Sequence, residues 1–152
     1  MPDALSPDQP NATRRRWMAV LARAHPDDLA EMLGRLPAYS VLRGPESGLV
    51  MVRGRTGGGG APFNLGEMTT TRCSVRTDAG FVGHAYVAGR NERLAELAAL
   101  ADAILQDPTQ QSRMLSELIE PLSVSQQARR DAVAGKAAAT RVQFFAMRNM
   151  RT

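Results

Sequence analysis

Apolar residues recur at helical spacing near the start of the chain, alternate through its middle third and return to helical spacing beyond residue 91. Trp17, Leu21 and Ala24 fall on one side of a first helix, which Asn11 or Thr13 is placed to cap. Pro26-Asp27-Asp28 opens a second helix, because proline suits the first helical turn and carboxylates favour its positive end. Leu29, Met32, Leu33 and Leu36 form its apolar stripe, Gly34 weakens it and Pro37 ends it. These two helices are expected within 12–36.

The period then shortens to two. Tyr39 to Arg43 and Leu49 to Arg55 read as strands joined by a turn at Gly44-Pro45-Glu46-Ser47-Gly48. The run Gly57-Gly58-Gly59-Gly60 is costly to hold in a sheet and reads as a flexible loop. Met68 to Thr77 and Phe81 to Ala88 read as two longer strands around a hairpin turn at Asp78-Ala79-Gly80. Asn91 then caps a helix with Leu94, Leu97, Ala98, Ala101, Ile104 and Leu105 on one face, stopped by Asp107-Pro108. Another helix carries Met114, Leu115, Leu118 and Ile119 and ends near Pro121. Ser123 or Ser125 caps a last one through about Thr140. The expected fold is α+β: a four-stranded antiparallel sheet over roughly 39–88, flanked by N-terminal helices at 12–36 and C-terminal helices at 91–140. Residues 1–10, rich in proline, are expected as a disordered tail before a single domain at 11–152. The apolar ending Val142 to Met147 is expected to dock rather than hang free.

Composition adjusts this picture. A chain of 152 residues suits one domain, burying roughly two-thirds of its unfolded surface. Leu, Ile, Val and Phe make up only 31 residues against 23 alanines, a thin core that a partner subunit would complete. No apolar run is long enough to cross a membrane, and Met1-Pro2-Asp3-Ala4 lacks the regions of a signal peptide. One cysteine, Cys73, leaves no internal disulfide and points to a reducing, cytoplasmic setting. With two histidines beside it, a self-contained metal site is not expected. The net charge of +4 rests on 18 arginines against the lone lysine Lys136, a balance that a coding bias toward arginine explains more readily than an anionic partner does.

Candidate chemistry is sparse. The four-glycine loop lacks the Gly-Lys-Ser/Thr ending and following helix of a phosphate loop, so a plain connector is the favoured reading. The hairpin is more informative. Pairing Thr77 with Phe81 sets Ser74 opposite His84 and Arg72 opposite Tyr86. One face then holds Thr70, Arg72, Ser74 and Arg76 with Val82, His84 and Tyr86, and the other holds Thr71, Cys73 and Val75 with Phe81, Ala85 and Val87. The second is the core face. The first is cationic and hydroxyl-bearing: it attracts an anion, or it is solvated or meets another subunit, and a register slip would exchange the two. Cys73 is then a buried apolar group and not a nucleophile. His84 has no visible acid partner, Glu67 reads as a surface or N-terminal strand position ahead of a ligand or a base, and His25 as a surface or capping residue. Arg14-Arg15-Arg16 reads as a solvated helix start. Nucleic-acid binding is not expected without aromatic interleaving or a known DNA-binding motif.

Specific strings carry more. Phe63-Asn64-Leu65-Gly66-Glu67-Met68-Thr69-Thr70-Thr71-Arg72-Cys73-Ser74-Val75-Arg76 resembles the central signature of the PhnG family, as does Gly83-His84-Ala85-Tyr86-Val87-Ala88-Gly89-Arg90. Arg16 to Ala22 fits its opening, and Thr140-Arg141-Val142-Gln143-Phe144-Phe145 resembles its C-terminal motif, with Met147-Arg148-Asn149 in place of the Val-Arg-Gly ending. The similarity spans about Arg14 to Arg148. It implies a subunit of the carbon–phosphorus lyase system for phosphonate use, in which PhnG-, PhnH-, PhnI- and PhnL-like proteins convert ATP and an alkylphosphonate to adenine and α-D-ribose 1-alkylphosphonate 5-triphosphate. The family implies nucleosidase chemistry in the PhnI-like subunit and a PhnJ-like radical iron–sulfur enzyme acting later. It also implies a symmetric assembly with two copies of each subunit, within which this chain homodimerises. ATP and the alkylphosphonate are then substrates of the complex, and no cofactor is expected on this chain alone.

Two roles fit that frame. The chain is an architectural subunit, or it lends Arg72, Arg76, His84 or Arg90 to a shared anion-binding pocket. A free-standing basic nucleic-acid-binding domain is the remote alternative outside it.

Overall fold

The computed structural model describes residues 9–142 of the chain. Helices α1 (Gln9–Leu21) and α2 (Pro26–Leu33) precede three strands, β1 (Tyr39–Gly54), β2 (Phe63–Thr77) and β3 (Val82–Ala88). Helices α3 (Glu92–Leu105), α4 (Pro108–Met114) and α5 (Glu120–Ala139) follow, with a π turn at Leu115–Ile119 between the last two. The strands form one antiparallel sheet in the order β1-β2-β3.

The fold is therefore α+β with three strands, not four. Tyr39 to Gly54 is one strand of 16 residues, and the stretch Gly44–Gly48 is not a turn. Pairing runs from Tyr39↔Thr77 to Gly54↔Phe63, and the surplus residues are absorbed by register shifts between Val41 and Arg43 and between Arg43 and Glu46. Proline cannot donate to a ladder, so Pro45 sits where an edge strand tolerates it, at an irregularity. β2 likewise begins at Phe63 rather than Met68. Asn64, Gly66 and Glu67 are poor strand formers, and it is β1 opposite them that holds them extended. Beyond the reach of β3, which pairs with Thr70 to Arg76, β1 and β2 continue as a two-stranded ribbon.

Several helix boundaries also differ from expectation. α2 ends at Leu33, not at Pro37: Gly34 caps it with a φ of +59°, and Leu36 lies outside the helix, exposed. α1 starts at Gln9, so Asn11 and Thr13 lie inside it and do not cap it, and the last two residues of the expected tail are helical. The other residues of that tail, 1–8, lie outside the described residues. The chain does not break at Pro121: α4, the π turn and α5 run on as one helix, with Ser123 and Ser125 inside it. A regular turn would drive the proline ring into the Glu117 carbonyl; the widened turn lies immediately before it. Asn91 does cap α3, accepting from the Leu94 N–H at 3.0 Å.

α3 is the centre of the molecule. It lies across β2 and β3 and touches α1, α2 and α4 on its other side. Ala95, Ala99, Ala101 and Ala103 are fully buried along it. Such small side chains let the helix come close to the sheet, and Gly83 completes the approach: a Cβ there would sit 1.9 Å from the Ala99 carbonyl oxygen and 2.5 Å from the Ala103 nitrogen. Trp17, Leu21, Leu29, Val75, Val87 and Leu118 close the core around it. Beyond Gln126 every described residue of α5 is exposed. Of the apolar ending Val142 to Met147, only Val142 is described, and it is exposed.

Candidate functional site

The β2–β3 hairpin has the register that alternation predicts. Thr77 N–H donates to the Phe81 carbonyl, Gly80 takes a φ of +90° in the turn, and Ser74↔His84 and Arg72↔Tyr86 are paired. Thr71, Cys73, Val75, Ala85 and Val87 face the core. Arg72, Arg76, His84 and Tyr86 are exposed on the opposite face. Ser74 Oγ and His84 Nδ1 are 2.8 Å apart, and among the described residues no carboxylate meets the other ring nitrogen. A Ser–His pair without that acid lacks the orienting group that makes serine a good nucleophile.

Arg72 has an acid partner that the strand prediction hid. Glu46, placed opposite it by the bulged β1, accepts from Arg72 Nε at 2.7 Å and from Arg43 as well. The Arg43 hydrogen bond, with Arg72 adding to it, holds the Glu46 carboxyl below its usual range. This acid cancels part of the face's positive charge. Arg76 makes no hydrogen bond or ion pair among the described residues. Arg72 and Arg76 lie four residues apart on one strand, roughly 13 Å. The groove beside His84, about 170 Å³, is lined by Met18 and Ala19 of α1 and by Ala22 just after it, with Ala85 and Tyr86, and by neither arginine.

Arg90 does not join them. It stands at the β3–α3 corner beside Ser47, Leu49 and Thr69, where a separate recess of about 170 Å³ opens. That corner is fixed by the buried Thr71 hydroxyl, which donates to the Gly89 carbonyl at 2.7 Å and accepts from the Asn91 N–H at 3.1 Å. Its proton being so committed, the Ser47 hydroxyl 3.0 Å away donates to it. Gly89 turns the chain with a φ of +82°, a conformation that favours glycine.

Among the described residues the most heavily bonded group is one that the sequence did not single out. Asp102, with no exposed surface, accepts from Arg14 Nε at 3.1 Å and Nη2 at 2.7 Å, from Trp17 Nε1 at 2.8 Å and from the His84 N–H at 2.9 Å. Arg14 is thus not merely part of a solvated helix start; Arg16 pairs at the surface with Glu120. A signal for Asp102 was present: it is the one charge on the buried side of an alanine- and leucine-rich helix. Gln106 next to it donates to the Val82 carbonyl at 2.7 Å. Tyr39 donates to Glu96 at 2.7 Å, and that bond, then burial, pushes its hydroxyl up to about 12.

The other candidates are quickly placed. Burial, helped by the Glu96 charge, raises the Cys73 thiol, which fits an inert core position. Glu67 lies within β2, exposed and opposite Met51. His25 occupies the N-cap position of α2 without a side-chain cap bond, 3.8 Å from Asp27. Among the described residues no group of three His, Cys, Asp or Glu could hold a metal ion, and no helix is long and apolar enough to cross a membrane. The strings of the family resemblance divide in two. Thr71, Gly83 and Gly89 fix the fold, while Phe63, Asn64, Gly66, Glu67, Arg72, Tyr86, Arg90 and Arg141 are exposed. Phe144 and Phe145 lie outside the described residues.

Fold and site together define a class of α+β protein that presents its polar chemistry on an open sheet face and beside a protruding ribbon. Within that class the chain belongs to the PhnG family: the model for "Phosphonate metabolism protein PhnG" matches residues 12–149. It is also 43% identical, over 149 residues, to the alpha-D-ribose 1-methylphosphonate 5-triphosphate synthase subunit PhnG of Rhizobium meliloti (strain 1021). The alignment covers 93% of this chain and 92% of that protein.

Proposed function

We propose that the chain is the PhnG-type subunit of a carbon–phosphorus lyase complex, acting with PhnH-, PhnI- and PhnL-like proteins on ATP and an alkylphosphonate. The products are adenine and α-D-ribose 1-alkylphosphonate 5-triphosphate, which a PhnJ-like enzyme then consumes. The observation that carries this reading is the 43% identity, over nearly the full length of both chains, to a relative named as a synthase subunit. Within the complex its role is architectural: it docks on the PhnI-like subunit and supports it. The structure supports that role through what it leaves uncovered. Leu49, Met51, Phe63 and Leu65 on the ribbon are 64%, 55%, 44% and 62% exposed, a group of large apolar side chains of the kind that often marks an interaction surface.

Co-expression with and without the PhnI-like partner, followed by light scattering on a sizing column, tests it. A stable complex with a poorly behaved lone chain is expected. A well-behaved monomer that ignores the partner would sink the reading.

A second role has one observation in its favour: Arg76 and Arg90 are exposed and unpaired among the described residues, free to meet a triphosphate or phosphonate. The paired change Arg72→Ala/Arg76→Ala separates the two. An intact complex with weak turnover supports a shared anion pocket; lost assembly, or no effect, supports the architectural role.

A further inference from the structure

The two edges of the sheet are finished differently. At two places along β3, α3 and the residue that follows it supply caps: Asp102 accepts the outward His84 N–H and Gln106 donates to the outward Val82 carbonyl. Groups so engaged cannot receive an added strand. β1 is the opposite edge. Its first half is guarded by Pro45 and the register shifts around Arg43. From Ser47 to Val52 its pairing with β2 is unbroken, and no side-chain cap is found there among the described residues. Leu49 and Met51 stand on one face of this segment, with Val52 and Met68 on the other, all of them exposed. At its end Arg53 and Arg55 are exposed and lack any hydrogen-bond or ion-pair partner among the described residues.

We propose that an extended segment of a partner subunit adds as a strand to β1 over Ser47–Val52, continuing the sheet. It sets apolar side chains against Leu49 and Met51 and a carboxylate against Arg53 and Arg55. This rests on the subunit reading above and names the mode and chemistry of the contact. A second copy of this chain is the poorer occupant. Its matching segment brings the same two arginines; the one acid of that strand, Glu46, is already shared by Arg43 and Arg72, and Glu67 stands one strand further in, on β2 opposite Met51. Apolar cover alone would suit either occupant; charge selects a chain of different sequence.

Hydrogen exchange on the free chain and on its co-purified complex with the PhnI-like subunit tests this. Amides of Gly48 to Val52 are expected to exchange at least about ten-fold more slowly in the complex. Arg53→Glu/Arg55→Glu is expected to weaken assembly about ten-fold or more, while Arg129→Glu/Arg130→Glu on α5 does not. Unchanged Trp17 fluorescence shows that each variant is folded. A complex that forms with exchange at Gly48–Val52 unaltered overturns the inference and leaves the subunit reading standing. A lone chain that dimerises with the same protection also overturns it, in favour of a second copy. If the wild-type chain forms no complex at all, the subunit reading falls first and this contact with it.

Discussion

A carboxylate with no exposed surface survives only if its charge is met, and Asp102 is met by Arg14, Trp17, the His84 backbone and Gln106. Asp102→Ala leaves Arg14 and Trp17 facing a void and is expected to cost about 3 kcal/mol, read as a lower urea midpoint in Trp17 fluorescence. Gly83→Ala acts through sterics alone. Its methyl group meets the α3 backbone, which cannot swing aside, and about 3 kcal/mol of destabilisation in the same assay is expected. Tyr39 gives a pH signature. Its hydroxyl loses its proton near 12 in the folded chain against the ordinary 10, so folding favours the protonated form. The stability this adds is fully present below pH 10 and is lost as pH rises toward 12. Ultraviolet titration of the phenols should show a late transition that Tyr39→Phe removes.

At the scale of elements, α5 and the ribbon share a property: their outer halves have nothing packed on them. From Gln127 to Ala139 α5 has no buried residue, so alanine propensity alone sustains that part of the helix. Ala134→Gly/Ala138→Gly is expected to lower the helical circular-dichroism signal while the Trp17 unfolding midpoint moves by less than about 0.5 kcal/mol. The β2–β3 hairpin was legible down to its register because its turn is local and its two faces differ sharply in polarity. β1 was not legible. Gly44-Pro45-Glu46-Ser47-Gly48 has turn chemistry, and only a long partner strand explains why it stays extended. The same gap hid Glu46, the acid that holds Arg72. Pro121 misled for a related reason: the π turn that accommodates it leaves no mark in the residues.

For the whole molecule the open β1 edge, the exposed ribbon and a net charge of +4 all point outward, toward a partner. Truncating exposed ribbon side chains should therefore matter little to the lone chain and much to the assembly. Leu49→Ala/Met51→Ala is expected to leave the urea midpoint within about 0.5 kcal/mol while weakening co-purification with the PhnI-like subunit. Equal retention in the complex would argue against the ribbon as an interface.

By itself the sequence determined the α+β class, the hairpin register, the cap at Asn91 and the core face with Cys73. It also carried the PhnG resemblance that the family match then bore out. These depend on local turn chemistry, on alternation and on strings of residues, all of which are written along the chain. Tertiary structure alone decided that Tyr39 to Gly54 is one strand, that Asp102 ties α1 to β3, that Arg90 stands apart from Arg72, Arg76 and His84, and that the β3 edge is capped at Val82 and His84 while β1 has no side-chain cap over Ser47–Val52 among the described residues. Each of those depends on which distant segments meet, and residue order does not encode that except through the packing of the whole.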